Sequence, residues 1–477
     1  MWRSGPVGSP AGPRPRTGCC AVDVLYETIA AIATAWGEAG VAIVRLSGPD
    51  AVALARTTLR FGPGGFPPPR EMRLASLLDD TESVIDRVLV VHFAAPRSYT
   101  GEDVVEIHTH GGTLVVQLCL EALLRRGARL AEPGEFTKRA FLNGRIDLSQ
   151  SEGVLGIIRS RSAEALRAAA RTLSGELSEF VREIRDELLE LQSGLEVGLD
   201  FPEGEAPHVD ETTLLDAVAT LKLGLQDLLD RCSLGLLLRE GIRVVLSGRP
   251  NVGKSSLLNA LLKQARAIVT ALPGTTRDVI EEAITYRGVP IRLVDTAGLR
   301  TPVDEIEASG IERTKMELKQ ADICLWLLDG SVPLDDEELG YLRSLSEREH
   351  IVLLNKADKA HVVTEDDVHE IVPESSVISL SARTGEGLEL LKEAILSIAT
   401  GNGSLDAGLN VTARQLEDIR QSLNAIVEAE TAAADGVGQD VVAGLLGSAR
   451  GSLERLLGIA CDDALLDSIF SRFCVGK

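Results

Sequence analysis

The sequence predicts a multidomain α/β protein with an N-terminal α+β domain, a discontinuous all-helical domain, and a parallel-sheet α/β domain inserted into the helical one. A chain of 477 residues has room for about three domains at ~150 residues each. Apolar residues at three- and four-residue spacing fill two well-separated stretches, 166–195 and 416–457, which places two blocks of amphipathic helix far apart in the chain. Between them, from 241 to 400, apolar strand runs alternate with helical patterns, as βαβ connections require.

The first twenty residues hold four Pro, four Gly, three Arg and no acid. Pro and Gly break the amphipathic helix that an organellar targeting peptide needs, so residues 1–23 read as a disordered extension. Folded sequence is expected from near Tyr26, in a domain spanning 24–147. There Val41–Arg45 and Val88–Phe93 are β-branched strand runs, Gly62–Pro69 is a loop, and Leu114–Arg126 is an amphipathic helix. The first helical segment covers 148–240, and Leu166, Ala170, Leu173, Leu177, Val181, Ile184, Leu188, Leu191 and Leu195 predict one long helix within it. The inserted domain covers 241–400. The second helical segment, 401–477, ends in Cys474-Val-Gly-Lys477.

Lys and Arg number 49 against 71 Asp and Glu, a formal net charge of −22. That excludes a protein whose whole surface coats nucleic acid or an anionic membrane, and leaves room for a local basic groove. With 44% hydrophobic and 25% charged residues the composition is globular. No apolar run reaches the ~18 residues of a membrane span, so no membrane association is expected. Seven scattered cysteines, an odd number, fit a reducing cytoplasm better than a disulfide framework, or the mitochondrial matrix if the chain is eukaryotic. Cys119, Cys232, Cys324 and Cys461 lie in apolar stretches and read as core.

The inserted domain carries the strongest chemical signal. The strand run Ile242–Ser247 leads into Gly248-Arg-Pro-Asn-Val-Gly-Lys-Ser255 and a helix, the setting that a GxxxxGK[ST] loop needs. Its backbone N–H groups, with Asn251, Val252, Gly253 and Ser256, would wrap phosphates at a helix N-terminus. Lys254 would reach the β- and γ-phosphates and Ser255 would bind Mg²⁺. Asp295-Thr296-Ala297-Gly298 follows a strand; its Asp can hold the metal through water and its Gly can sense the γ-phosphate. Asn355-Lys356-Ala-Asp358 follows another strand, and a carboxylate there accepts the N1–H and exocyclic amine of guanine, which adenine cannot offer. Ser381 and Ala382 follow the last strand, well placed to meet the guanine carbonyl, and Arg383 after them is counted with the GTP-binding residues. Four motifs in this order imply a GTP-hydrolysing Ras-like G domain.

The position after Asp-x-x-Gly is Leu299, which cannot orient water as the Gln of small Ras-like GTPases does. Asn251 offers a neutral oxygen beside the phosphates, and Thr270–Thr276 could complete a monovalent-cation site with it. Asn251 as a simple loop cap is the competing reading.

On Gly248–Ser255, Gly274-Thr-Thr-Arg-Asp278, Asp295-Thr-Ala-Gly-Leu-Arg300, Tyr99-Thr-Gly-Glu-Asp103, His110-Gly-Gly112, Pro133-Gly-Glu-Phe136, Phe141-Leu-Asn-Gly-Arg145 and Phe473–Lys477, the chain resembles the MnmE (TrmE) family of tRNA modification GTPases. The resemblance runs from Tyr26 to Lys477. It implies a tetrahydrofolate-binding-like N-terminal domain that also mediates homodimerisation, and G domains that pair across their nucleotide faces. It implies K⁺ ligation by Asn251, Thr270, Leu272 (through its carbonyl) and Thr275, within a loop that includes Ala271, Pro273 and Gly274. It implies Mg²⁺ at Ser255 and Thr276, and Glu307 as the residue that orients water. Without it, Glu307 is one of several acids on a solvated face.

The same resemblance assigns folate binding to Arg45, Glu106, Arg145 and Lys477, and puts the tail with Cys474 near the one-carbon group. On the residues alone Arg45 reads equally well as a strand-end surface charge, and Cys474 as a bystander thiol. Some relatives have Lys in place of Arg145, and many have Asp in place of Ala271. The implied reaction adds a carboxymethylaminomethyl or aminomethyl group at C5 of the wobble uridine of tRNA, with an FAD-dependent partner, MnmG (GidA), in a heterotetramer. The implied donor is 5-formyl- or methylene-tetrahydrofolate. His108 and His110, two apart, read as a turn into Gly111-Gly112 in preference to a metal pair. Arg159, Arg161, Arg167 and Arg171 form a basic run open to tRNA, or else an ordinary solvated face. The competing functions are an Era-like ribosome-assembly GTPase and a non-catalytic folate-binding scaffold with a vestigial G domain.

Overall fold

The computed structural model describes residues 27–200, 210–266, 282–295, 320–344, 349–401 and 403–477. The chain forms two compact units, one running to Ser151 and including Ala460–Lys477, the other Glu152–Ile459.

The first unit contains β1 (Ile29–Ile32), β2 (Ala39–Ser47), α1 (Ala51–Thr58), β3 (Leu59–Phe61), β4 (Met72–Leu78), β5 (Val84–Phe93), β6 (Val104–Gly111), α2 (Thr113–Arg125), β7 (Arg129–Leu130) and α3 (Glu135–Leu142). The strands form one sheet in the order β3-β4-β5-β6-β2-β1-β7, antiparallel except for the β1–β7 pair. Side chains alternate across it. Val44, Leu46, Val105 and Ile107 face a core shared with Ala51 and Ala55 of α1 and with Val116, Cys119 and Leu123 of α2. Arg45 and Glu106, opposite one another in the β2–β6 register, therefore point to the other face. The expected turn at His108 and His110 is instead part of β6; the turn begins at Gly112, the cap of α2. Alternation, not a turn, separates these histidines from their neighbours.

Helix α4 (Leu148–Arg159) follows, then α5 (Ala163–Ser174), α6 (Glu176–Asp200) and α7 (Glu211–Glu240). The single long helix expected through 166–195 is two helices. Gly175 sits between them at φ 99°, a left-handed conformation that ends α5 and that a side chain would strain. The apolar period survives the break, which is why spacing alone does not reveal it.

The inserted sheet contains β8 (Ile242–Gly248), β9 (Glu282–Tyr286), β10 (Val289–Asp295), β11 (Ile323–Asp329), β12 (His350–Asn355) and β13 (Ser376–Ser379), with α8 (Lys254–Arg266), α9 (Asp336–Ser344), α10 (Glu365–His369) and α11 (Leu388–Thr400). Its order is β13-β12-β11-β8-β10-β9, parallel throughout except β9 against β10. Strand β8 has β11 on one side and β10 on the other, so chain crossovers leave it in opposite directions and open a crevice at its C-terminal end.

Helices α12 (Ala413–Ala434) and α13 (Gln439–Leu457) complete the second unit, sharing one aliphatic core with α6 and α7. The return segment from the inserted domain is tied down on its way to α12. Arg171 donates to the carbonyls of Asp406 and Gly408, Arg239 to that of Val411 (3.1 Å), and the Thr172 hydroxyl to that of Asn410 (2.9 Å). Arg167 pairs with Glu164 at 3.0 Å. The basic run thus spends Arg167 and Arg171 on contacts within the unit.

Residues 460–477, which the sequence reading placed with the second helical segment, belong to the first unit. Helix α14 (Asp463–Phe470) packs on α3: Phe470 meets Phe141 and Phe473 at ring separations of 6.4 and 5.5 Å, and Lys138 bonds Asp467 at 2.6 Å. Val475 then bridges to Pro133. Aromatic burial against α3 outweighs continuity with α13, from which Gly458, at φ 78°, turns the chain away. Cys119, Cys232 and Cys324 are buried as expected, while Cys461 is only half-buried because it lies in the turn before α14.

Candidate functional site

The nucleotide crevice is assembled from loops at the C-terminal ends of parallel strands. After β8 the chain turns through Asn251 at φ 67° into α8. Gly253 is obligatory: a Cβ there would lie 2.2 Å from Asn355 Nδ2. Lys254 is buried, and its ammonium donates to the carbonyls of Gly248 (2.6 Å) and Arg249 (2.7 Å), so the loop wraps its own lysine. Ser255 and Ser256 stand exposed in the first turn of α8.

Asn355, buried at the end of β12, joins two of the motifs. Its Nδ2 donates to the Val252 carbonyl at 2.7 Å, and its Oδ1 accepts from the Ala382 N–H at 3.1 Å. Lys356, at φ 70°, pairs with Asp329 at the end of β11. Asp358 accepts from the Ser381 hydroxyl at 2.6 Å and lies 3.3 Å from Arg383 Nε. The Ser381 hydroxyl and the Arg383 charge hold its carboxyl below the ordinary aspartate range, so it is an acceptor-only group at neutral pH. Asn251, Val252, Gly253, Lys254, Asn355, Lys356, Asp358, Ser381, Ala382 and Arg383 are therefore brought to one edge of the sheet. Asp295 ends β10 on the same edge. Thr270–Thr276, Thr296–Gly298 and Glu307 lie outside the described residues. Sequence reasoning missed Asp329, whose role comes from strand order and leaves no local mark.

A second charged site lies on the face of the first unit's sheet opposite α1 and α2. Arg45 Nε and Nη2 both donate to Glu106 Oε1, at 2.9 and 2.8 Å, and Nη1 donates to the Gly476 carbonyl at 3.3 Å. The guanidinium carbon lies 5.8 Å from the ring centre of Tyr99 and 5.7 Å from that of Phe136. Burial, and then the charge of Arg45, hold the Lys477 ammonium below the usual lysine value. Arg45, Glu106 and Lys477 are thus neighbours. Arg145 is exposed, with its aliphatic stem beside Gly101. Cys474 is exposed, and its carbonyl accepts from the N–H groups of Gly134 (3.4 Å) and Lys477 (3.3 Å). His110 binds Asp86 at 2.7 Å, while His108 Nε2 stands 3.6 Å from Glu106 Oε2.

Beneath this site runs an ion network that sequence reasoning did not find. Arg139, 1% exposed, donates to Glu102 Oε2 (3.1 Å), Glu135 Oε1 (3.0 Å) and the Glu27 carbonyl (2.9 Å). Ser47 donates to Glu102 at 2.7 Å, and Arg129 to Glu135 at 3.1 Å. Burial pushes the Glu135 carboxyl up, but its bonds from Arg129, the Glu132 N–H and Arg139 outweigh that and leave it below the ordinary value. The acids of Tyr99–Asp103 and Pro133–Phe136 were visible as motif residues; their shared arginine was not.

A P-loop at a topological switch point, linked through Asn355 to an Asp358–Ser381 pair, defines a guanine-nucleotide-binding enzyme of the GTPase class. Two family models match the chain: GTP-binding protein TrmE N-terminus over residues 28–145 and MnmE helical domain over residues 148–474. Proteins named tRNA modification GTPase MnmE are similar along their whole length. Those of Heliobacterium modesticaldum and Carboxydothermus hydrogenoformans are 43% and 40% identical, each covering 95% of this chain and 100% of the relative. That of Bacillus subtilis is 42% identical over 94% of this chain and 100% of the relative. The chain belongs to the MnmE (TrmE) family of tRNA modification GTPases.

Proposed function

We propose that this protein hydrolyses GTP in a K⁺-dependent way to drive modification at C5 of the wobble uridine of tRNA, using a folate one-carbon donor and an FAD-dependent MnmG-type partner. The observation that carries the reading is the Asn355 side chain, which ties the phosphate-binding loop to the segment bearing Ser381 and Asp358, so phosphate and guanine recognition share one rigid frame. A GTPase joined to two domains of the MnmE family favours this over an Era-like ribosome-assembly GTPase.

In this reading Asp358 accepts from the guanine edge, Lys254 leaves its loop carbonyls for the β- and γ-phosphates, and Ser255 with Thr276 holds Mg²⁺. Asp295, Thr296, Ala297 and Gly298 report the γ-phosphate. Ser255 stands exposed at the start of α8, and its hydroxyl would hold the metal. Asn251, exposed in a left-handed turn of the loop, fits a K⁺ ligand alongside Thr270, Leu272 and Thr275. Such an ion counters charge on the transferring phosphate as an arginine finger would. Glu307 orients the attacking water.

The first unit holds the folate. Its donor set suits a pterin: Arg45 occupies Glu106 Oε1, which leaves Oε2 to accept ring N–H groups. Lys477 and Arg145 supply cations for the carboxylate tail. Cys474 lies on the same terminal segment and is the side chain to examine for a chemical role. The protein works as a homodimer in the cytoplasm, in a heterotetramer with its partner.

Two measurements test the function. GTP turnover is expected to be faster in K⁺ than in Na⁺ and to vanish in Glu307→Ala with GTP binding retained. Nucleoside mass analysis of tRNA from cells lacking the gene is expected to show an unmodified wobble uridine; an intact modification refutes the assignment.

A further inference from the structure

Resting on the reading that Asp358 takes the guanine edge, we propose that Asp329 is a positioning residue for nucleotide binding. It anchors Lys356 and so holds the guanine-reading loop in its binding shape before the nucleotide arrives. Asp329 belongs to none of the four nucleotide motifs. It ends β11, and the parallel register sets it beside Asn355, the first residue of the Asn-Lys-Ala-Asp segment. Its two carboxylate oxygens have separate duties. Oδ1 accepts from the Ser331 N–H at 3.1 Å and from the Ser331 hydroxyl at 2.6 Å, while Oδ2 accepts from the Lys356 ammonium. Ser331 thus fixes the carboxylate, and Lys356 is the group that the carboxylate holds. The Asp329 and Lys356 side chains are 15% and 28% exposed, so water and salt screen the pair less than an open surface pair. Burial pushes the Asp329 carboxyl up, but its bonds from Lys356 and Ser331 outweigh that and leave it below the ordinary aspartate value.

Lys356 needs such an anchor. Its φ of 70° is left-handed, a conformation that a side chain disfavours, and Asp358 follows only two residues later. The backbone beside Asp329 pins the same loop at both ends. The Gly330 N–H donates to the Asn355 carbonyl at 3.0 Å, and the Gly330 carbonyl accepts from the N–H groups of Val362 at 2.7 Å and Val363 at 3.2 Å. Close approach is what makes residue 330 a glycine: a Cβ there would lie 2.9 Å from Nε2 of His361, whose ring rests on it. Asp329, Gly330 and Ser331 therefore form a cradle for residues 355–363. Holding a strained loop in place beforehand lowers the ordering cost of binding.

The test is a double-mutant cycle in the full chain, read by titration with fluorescent GTP, GDP and ATP and by steady-state GTP turnover. Asp329→Asn, which keeps the shape and removes the charge, is expected to weaken GTP and GDP alike by roughly ten- to hundredfold, the scale of one charged hydrogen bond. The loss should fall on KM, with kcat within about twofold of wild type, because the base-side contact is the same in ground and transition states. Lys356→Met should lose as much, and the double variant no more than either single one, since the two side chains act as one unit. Asp329→Glu, which restores the charge, should recover part of the affinity. Ser331→Ala leaves both charges in place and should lose about two- to fivefold, which keeps the proposal testable should Asp329→Asn fold poorly. Wild-type GTP affinity in Asp329→Asn overturns the anchor, as do additive losses in the double variant or a loss for GTP that spares GDP. A wild-type chain that binds ATP as tightly as GTP overturns the guanine reading itself.

Discussion

The nucleotide crevice and the Arg45–Glu106 site of the first unit are built on opposite principles. In the G domain each contributing loop follows a strand of a parallel sheet, and parallel strands deliver their C-terminal ends to a single edge. Ser381 and Asp358 meet across 23 residues, and Asn355 and Val252 across 103. In the first unit the sheet is largely antiparallel, so strand ends alternate and the site lies on a face. Register brings Arg45 to Glu106 across 61 residues, and a segment 431 residues away closes the pocket. The first kind of site is written as a string of motifs; the second is a coincidence of register and docking.

If that contrast is right, damage at the nucleotide site should be local and severe. Asp358→Asn is expected to lower GTP affinity by roughly a thousandfold or more, because guanine N–H donors would meet an amide donor. Titration with fluorescent GTP and xanthosine triphosphate checks it, with the xanthine nucleotide gaining. Equal affinities for GTP in mutant and wild type would remove the guanine assignment.

Damage to the first unit should spread through its network. Arg139→Met leaves Glu102 and Glu135 without their shared cation at a position 1% exposed, and is expected to cost about 3–5 kcal/mol in urea unfolding. A change under 1 kcal/mol would mean the network is solvated. Glu106→Gln is expected to weaken folate about tenfold to a hundredfold while sparing the fold, the scale of one charged hydrogen bond. Unaltered calorimetric binding would count against Glu106 as the ring acceptor.

The smaller effects test protonation. Ser381→Ala removes one bond that favours ionised Asp358, so its pKa should rise toward the ordinary value while the carboxylate stays ionised, and GTP affinity should hold, at neutral pH. Carboxyl titration by NMR reads the shift. Glu135 is held below its unfolded value, so its stabilisation is complete above about pH 4.3 and is lost as pH falls through the folded value. Glu135→Gln should flatten that acid slope of the melting temperature, and an unchanged slope would assign it to other carboxylates.

The same contrast decides what could be read beforehand. Asn355, Asp358 and Ser381 announce themselves because each follows its strand directly, in an order the parallel sheet preserves. The apolar rhythm through Leu195 identified helix but not the interruption at Gly175, since the two helices keep the same spacing. Residues 460–477 followed a helical block and read as its continuation; their partners, Phe141 and Pro133, are more than three hundred residues away in sequence. Arg139 gave no sign, because a buried arginine is defined by acids from distant turns.

The contact between Arg45 and Gly476 also has a history in time. At 5–20 residues per second, the 431 residues between them take roughly 20 to 90 s to synthesise. For most of that interval the strands β1 to β7 have been made but α14 and the segment bearing Val475 and Gly476 have not, and the Arg45–Glu106 pair lacks its last wall. The whole second unit, nucleotide crevice included, emerges before Gly476 can close over the Arg45–Glu106 pair. A messenger cut short anywhere in the second unit yields a protein whose Arg45–Glu106 pair lacks Gly476, so that site is completed only in chains that already carry their GTPase.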